Sequence, residues 1–253
     1  MSEQSPKPVQ LALRMRLEPA ASFDNFEAGD NEQALAALRR MLVVRAPAGA
    51  AHSSLGDFAQ LWSVYLCGVS GTGKTHLLEA ACRSATQDGL RCAYVVLSRP
   101  GLTATALIGL GDMDLVCLDD LHCAVGHPDW ESALFVLYNE LEAHGRRLAV
   151  ASRQPPGALP WTLPDLASRL QAALVVRLKG LDDAGRRAAL QAHARARGLS
   201  VGEDAADYIL ARIRQDMFSL MNVLDCLDEA AMAAQRRLSV PFVREVLTAE
   251  GIA

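Results

Sequence analysis

Gly68 to Thr75 of this chain read GVSGTGKT, a complete G-x-x-x-x-G-K-[ST] pattern. Residues of these types at this spacing handle polyphosphate: glycines let backbone N–H groups converge on phosphate oxygens, and a following helix N-terminus adds a favourable dipole. In that reading Gly68, Gly71 and Gly73 shape the cradle, Lys74 supplies a point charge to the β and γ phosphates, and Thr75 offers a hydroxyl to Mg²⁺. The other half of such a site is an acid at the end of a second strand, and LVCLDD, Leu115 to Asp120, supplies two. Asp119 would hold Mg²⁺ through water and Asp120 would orient an attacking water, although adjacent carboxylates also open ordinary loops. Many P-loop ATPases carry the longer Glu at the second position, so Asp120 predicts slow or conditional hydrolysis.

These residues need strands and helices to hold them. Short continuous apolar runs at Trp62 to Cys67, Cys92 to Leu97, Leu115 to Leu118, Leu148 to Ala151 and Leu174 to Leu178 read as strands buried on both faces of a parallel sheet. Helices are predicted between them. One starts after Asp30, with Leu35, Leu38 and Leu42 on one face and Gln33 placed as in a capping box. Another runs from Lys74 to about Gln87, and a third carries Trp130, Leu134, Leu137 and Leu141 and ends at Gly145. Beyond Leu181 the strands stop. Helices are expected from Asp182 to Arg197, from Ser200 with Glu203 completing a capping box, from Asp216 to about Arg236, and after Pro241. The fold class is therefore α/β: a P-loop core with a parallel sheet flanked by helices, followed by a small all-helical lid. The expected division is a flexible tail over 1–22, a nucleotide-binding α/β domain over 23–180 and a helical lid over 181–253.

Composition limits the alternatives. With 253 residues, 51% hydrophobic and 21% charged, the chain can bury a real core, and disordered or fibrous classes are excluded. No run of apolar residues is long enough to span a membrane, and MSEQSPKPVQ lacks the apolar core of a signal peptide, so a soluble cytoplasmic protein is expected. A net charge of −4 argues against strong direct DNA binding. The cysteines, Cys67, Cys82, Cys92, Cys117, Cys123 and Cys226, show no CxxC pair and read as reduced core filling. Nearly all basic residues are Arg, which makes the position of Lys74 the more informative.

Several segments together resemble one family. SFDNFEAGDN (Ser22 to Asn31), GVSGTGKTHL, the strand ending in Asp119-Asp120, the Pro-Pro pair after the fourth strand and LPDLASRL (Leu163 to Leu170) resemble the AAA+ proteins of the DnaA and Hda branch. LPDLASRL, AQRRLSVPFV and the N-terminal QLAL bring the resemblance closest to the Hda family of DnaA regulators, over nearly the whole chain. The resemblance implies that Phe23, Phe26 and His76 line the nucleotide pocket and that ADP or ATP with Mg²⁺ is the ligand. It implies that Arg169 is an arginine finger; spacing alone reads it as a surface Arg on a short helix from Asp165 to Leu170. It also implies that Gln10, Leu11 and Leu13 bind the sliding clamp of DNA polymerase III, with Arg14 standing where a Pro often follows.

Two departures from the family pattern stand out. After the fourth strand the run is Ala151-Ser152-Arg153-Gln154-Pro155-Pro156, where the family has a polar sensor and then Asp-Arg; Ser152 is left as the group that can bond a phosphate or water. The lid Arg that DnaA presents to nucleotide falls near Phe218, with no basic residue at that helix start except Arg214 a turn earlier, which predicts weak contact to the γ-phosphate, similar hold on ADP and ATP, and poor self-hydrolysis.

Three functions compete. The resemblance implies an adaptor that docks on ATP-bound DnaA beside the DNA-loaded clamp and suppresses re-initiation. The intact Lys74, Thr75, Asp119 and Asp120 keep an autonomous ATPase of the helicase-loader type in view. A DNA-binding initiator paralogue is disfavoured because little sequence follows Pro241. Self-association through the face that carries Arg169 is the further partner expectation.

Overall fold

The computed structural model describes residues 21–43, 61–213, 217–234 and 237–251, with the side chain of Phe218 excepted. Gln10, Leu11 and Leu13 lie outside the described residues. Ala21 and Ser22, assigned to the tail, belong to the folded body: Ala21 is buried, and the Ser22 hydroxyl and N–H both bond Asn25 Oδ1 at 2.9 Å.

Five strands form the sheet: β1 (Ser63–Cys67), β2 (Cys92–Val96), β3 (Leu115–Asp119), β4 (Arg147–Ser152) and β5 (Leu174–Arg177). Their order is β2-β3-β4-β1-β5, and every pairing is parallel. Each parallel step needs a crossover. The helices α1 (Glu32–Leu42), α2 (Lys74–Gln87), α3 (Pro128–Ala143) and α4 (Pro164–Ala172) accompany the strands. α1 and α2 pack on the face carrying Val64, Leu66, Leu115, Cys117, Ala149 and Ala151. α3 and α4 pack on the opposite face, with Tyr65, Val116, Leu118, Leu148 and Val150. Leaving β1 through α2, the chain reaches the far edge at β2 and then returns strand by strand until β4 lies beside β1. The C-terminal ends of β1, β3 and β4 therefore open onto one crevice, where open α/β sheets bind ligands.

The lid is α5 (Asp183–Ala196), α6 (Glu203–Leu210), α7 (Met217–Ala234) and α8 (Val240–Ala249), closed around its own core of Leu190, Ile209, Leu224, Leu227, Phe242 and Leu247. Pro241 sits in the first turn of α8, where its missing N–H costs nothing.

Three expectations are corrected. Asn31, not Asp30, precedes α1, and no side-chain cap forms there. The Asn31 amide instead bridges to β5's exit, donating to the Lys179 carbonyl at 3.0 Å and accepting from its N–H at 2.8 Å. The Ser200 capping box is absent because Val201 is drawn into an isolated bridge with Leu238, so α6 starts at Glu203 behind Gly202. Burial on both faces holds for β1, β3 and β4, but β5 is an edge strand with Leu174 and Val175 exposed.

All six cysteines are free; Cys67, Cys82 and Cys117 are buried, while Cys123 is exposed. Among the described residues, no helix is long and apolar enough to cross a membrane.

Candidate functional site

The loop after β1 has the geometry its glycines suggest. Gly71 and Gly73 take φ of +79° and +88°, in the left-handed region that side chains rarely adopt. At Gly73 a Cβ would stand 2.7 Å from Phe26 Cε2, and at Gly68 it would stand 2.8 Å from the Leu178 carbonyl oxygen. The loop therefore has room for backbone alone, and α2 begins at once with Lys74, its first N–H groups facing the crevice. Lys74 Nζ donates to the carbonyls of Gly68 (2.8 Å) and Val69 (2.7 Å), which folds the ammonium back under the loop. Burial draws its pKa below the usual lysine value, opposed by the charges of Asp119 and Asp120.

Strand parity decides what enters the crevice. On β3 the residues Leu115, Cys117 and Asp119 share the α2 face, so Asp119 meets Thr75, whose hydroxyl donates to Asp119 Oδ2 at 2.6 Å. The Tyr94 hydroxyl donates to the same oxygen at 3.1 Å, and the Asp120 N–H donates to Oδ1 at 2.8 Å. Burial raises Asp119's pKa and Asp120's charge adds to this, while the Thr75 hydrogen bond lowers it. This hydroxyl and carboxylate pair, beside an ammonium and a ring of backbone N–H groups, fits Mg²⁺ with a polyphosphate. Asp120 turns the other way. Its φ of +54° makes it the one non-glycine residue with positive φ among those described, and its carboxylate accepts from Ser98 Oγ at 2.6 Å, with His122 at 4.0 Å. Asp is among the few residues that tolerate this conformation.

Beside the P-loop the cleft is lined by aromatic and apolar groups. Phe26 lies over Gly73 and tilts on the His76 ring at 5.4 Å, and His76 Nε2–H donates to the Ser22 carbonyl at 2.9 Å. Across the crevice His193 of α5 meets His76 edge-on at 5.2 Å. Burial, then His76 and Arg197, hold His193 at a pKa of about 4, so it is neutral at pH 7. Leu181, Ala189, Met217, Met221 and Asn222 complete the lid side of a cleft of about 390 Å³.

Of the residues singled out from sequence, Phe26, Gly71, Gly73, Lys74, Thr75, His76, Asp119 and Asp120 line this cleft together, and Gly68, the residue after β1, does not line it. Phe23 does not join them: its ring packs against α1, under the Arg39 guanidinium at 5.6 Å, and lines a separate cleft. Ser152 also fails to reach it. Ser152 is fully buried with the α3-face residues Leu148 and Val150, so the cleft receives the next residue, Arg153. Glu27, Ser70, Glu79 and His193 are further lining residues that the sequence reading passed over. The P-loop motif flags Ser70 as one of its free positions, but the others carry no local signal. Arg169 stands apart on α4, half-exposed. Its Nη1 donates to Glu142 Oε2 at 2.9 Å, its guanidinium covers the Phe135 and Tyr138 rings at 5.1 and 5.5 Å, and its carbonyl accepts from the Tyr138 hydroxyl.

A P-loop after β1, an acid pair after β3 and a helical lid against the crevice define an AAA+ protein. Solved structures share this fold. Domain III of the Thermotoga maritima replication initiation protein DnaA matches with a TM-score of 0.70 at 19% identity, over 91% of this chain and 96% of that one. Replication initiator DnaA bound to AMPPCP and single-stranded DNA matches at 0.66 and 22%, over 87% and 70%. A Thermotoga maritima RuvB variant matches at 0.64 and 13%, over 92% and 73%. Residues 183–247, which hold α5 to α8, match the family model "Hda, lid domain". The lid is thus similar to that of the Hda family, and the chain as a whole shares the fold of the DnaA AAA+ domain.

Proposed function

We propose that this protein is a nucleotide-loaded negative regulator of replication initiation, which acts with the DNA-loaded sliding clamp to promote hydrolysis of DnaA-bound ATP. The observation that carries this reading is the placement of Arg169. Its guanidinium is off the wall of the chain's own cleft, half-exposed, and held by two rings and a carboxylate. A fixed surface cation of this kind suits a finger that reaches a neighbour's terminal phosphate as charge builds there. Such fingers contribute about 10³ to 10⁵ in rate, or roughly 4 to 7 kcal/mol of transition-state stabilisation.

In the chain's own cleft, the Gly71 to Thr75 N–H groups and Lys74 would hold the phosphates of ADP or ATP, Phe26 and His76 would face the base, and Thr75 and Asp119 would hold Mg²⁺. Bound Mg²⁺ would neutralise phosphate charge. Gln10, Leu11 and Leu13 would bring the protein to the clamp through a polar pocket and an apolar groove. Among the described residues the lid side of the cleft carries no charged side chain, which is consistent with weak hydrolysis in cis. The second reading, an autonomous ATPase of the helicase-loader type, is favoured by the Thr75 to Asp119 bond and by the acid at Asp120.

ATP turnover by DnaA, followed with and without this protein and DNA-loaded clamp, separates the two. Turnover that needs the full mixture and is lost in Arg169→Ala, with nucleotide binding and folding intact, supports the regulator. Unchanged stimulation by Arg169→Ala refutes the finger, and turnover by this protein alone supports the ATPase.

A further inference from the structure

Glu131, Phe135, Tyr138 and Glu142 of α3 recur at helical spacing along one face, and that face holds α4 at its entry and again in its last turn. Glu131, fully buried, accepts from Thr162 and Leu163, the residues that lead into α4. Further along, the Phe135 and Tyr138 rings lie against the Arg169 guanidinium at 5.1 and 5.5 Å. Tyr138 is itself fixed: Trp62 meets it edge-on at 4.9 Å, and its hydroxyl donates to the Arg169 carbonyl at 3.3 Å. The guanidinium therefore has a seat that does not depend on its ionic partner.

Glu142 is held differently. Its carboxylate is exposed and accepts from Arg169 Nη1 at 2.9 Å, the one ion pair of Arg169 among the described residues. It lies in the last turn of α3, where unsatisfied backbone carbonyls give the helix end a partial negative charge, and that turn carries no basic residue. A carboxylate is disfavoured there unless an outside cation compensates, and Arg169 is that cation. The consequence falls on Arg169. A full negative charge at hydrogen-bond distance cancels most of the field that the guanidinium would exert on a partner's phosphate. A phosphate also needs the same planar donors that the carboxylate uses.

We propose that Glu142 masks Arg169 in the free protein and gives way to the terminal phosphate of a nucleotide held by the partner. This rests on the finger reading of Arg169 and adds to it a docking cost set within this chain. The rings keep the guanidinium in place when Glu142 leaves, so unmasking needs one exposed side chain to change rotamer and no movement of α4. Charge makes the exchange selective. An incoming phosphate repels the carboxylate as it draws the guanidinium, whereas a surface with no anion at that point leaves the pair closed.

The test is ATP turnover by DnaA with DNA-loaded clamp, titrated with the native chain, Glu142→Gln and Glu142→Asp. Glu142→Gln should reach half-maximal stimulation at a concentration about two- to fivefold lower, the range that an exposed ion pair spans, with the maximal rate changed less than about twofold. Glu142→Asp keeps the charge and should stay closer to the native chain. Glu140→Gln removes an equal charge from the same turn, from a residue that makes no ion pair with Arg169, and should leave the titration unchanged. Thermal melts establish that the variants fold. An unchanged half-maximal concentration in Glu142→Gln overturns the mask, and so does an equal fall in Glu140→Gln, because net charge alone would then explain it. A higher half-maximal concentration or a lower maximal rate in Glu142→Gln also overturns it, since the carboxylate would then brace the finger. Any of these results, with stimulation still lost in Arg169→Ala, leaves the finger reading standing. Stimulation that survives in Arg169→Ala overturns the finger, and the proposal with it.

Discussion

Replacing Glu131 by Gln should destabilise the protein by about 3 kcal/mol, although the two side chains have nearly the same shape. Glu131 lies in the first turn of α3, fully buried. Its Oε2 accepts from the Thr162 N–H (2.9 Å), the Thr162 hydroxyl (2.7 Å) and the Leu163 N–H (2.7 Å), and its Oε1 accepts from the Gly126 N–H (2.7 Å). Burial pushes the carboxyl's pKa up, but the bonds from Thr162, Gly126 and Leu163 outweigh it and hold the pKa below the usual value. A Gln keeps one acceptor oxygen. Placed toward Thr162 and Leu163, that oxygen leaves the amide NH₂ facing the Gly126 N–H, donor against donor. The three surviving bonds become neutral and lose roughly 1 kcal/mol each, the orphaned N–H costs about 1 to 3 kcal/mol, and relief from burying a charge offsets part of this. Stabilities of about 5 to 15 kcal/mol leave the variant folded, so urea denaturation can measure it. The sign of the pH dependence is a second check. A carboxyl with a depressed folded pKa contributes stability that is present above its unfolded pKa, near 4.3, and is lost as pH falls through the folded value. The gap between native chain and variant should therefore close in acid. A difference below about 1 kcal/mol at pH 7, or a gap independent of pH, would refute the reasoning.

Two further predictions concern the cleft. Gly73→Ala should abolish nucleotide binding in calorimetry and cost about 1 to 3 kcal/mol in urea, because its Cβ would meet Phe26 at 2.7 Å and its φ is +88°. His193 should make the protein acid-sensitive between pH 6.5 and about 4, since its folded pKa lies at about 4 and the unfolded chain takes up the proton first. His193→Gln should flatten that limb of the stability profile, and a profile unchanged by the substitution would exclude His193 as its source.

Elements were legible in the sequence where burial and punctuation agree. Each of the five apolar runs became a strand within a residue or two, and α2 runs from Lys74 to Gln87 because the P-loop glycines leave it nowhere else to begin. What stayed hidden was direction. A continuous apolar run buried on both faces has no alternation to show which residues face α2, so Ser152 was chosen where parity selects Arg153. Phe23 and Phe26 are likewise close in sequence, but the Ser22 to Asn25 turn sends only Phe26 over Gly73. Capping failed where a side chain had a distant partner: Asn31 bonds Lys179, and nothing local records that. Glu131 was invisible for the same reason, because its donors lie at Thr162 and Leu163.

The contact between His76 and His193 has a mechanical meaning. His76 follows Thr75 directly in the first turn of α2, and His193 is in the last turn of α5. The lid thus touches the core one residue from the phosphate cradle, at the short arm of a lever whose long arm is the rest of α5 to α8. A shift of a fraction of an ångström in the first turn of α2 would be magnified along that arm. The outer surface of the lid, and whatever rests on it, would feel the state of the P-loop as a change of angle.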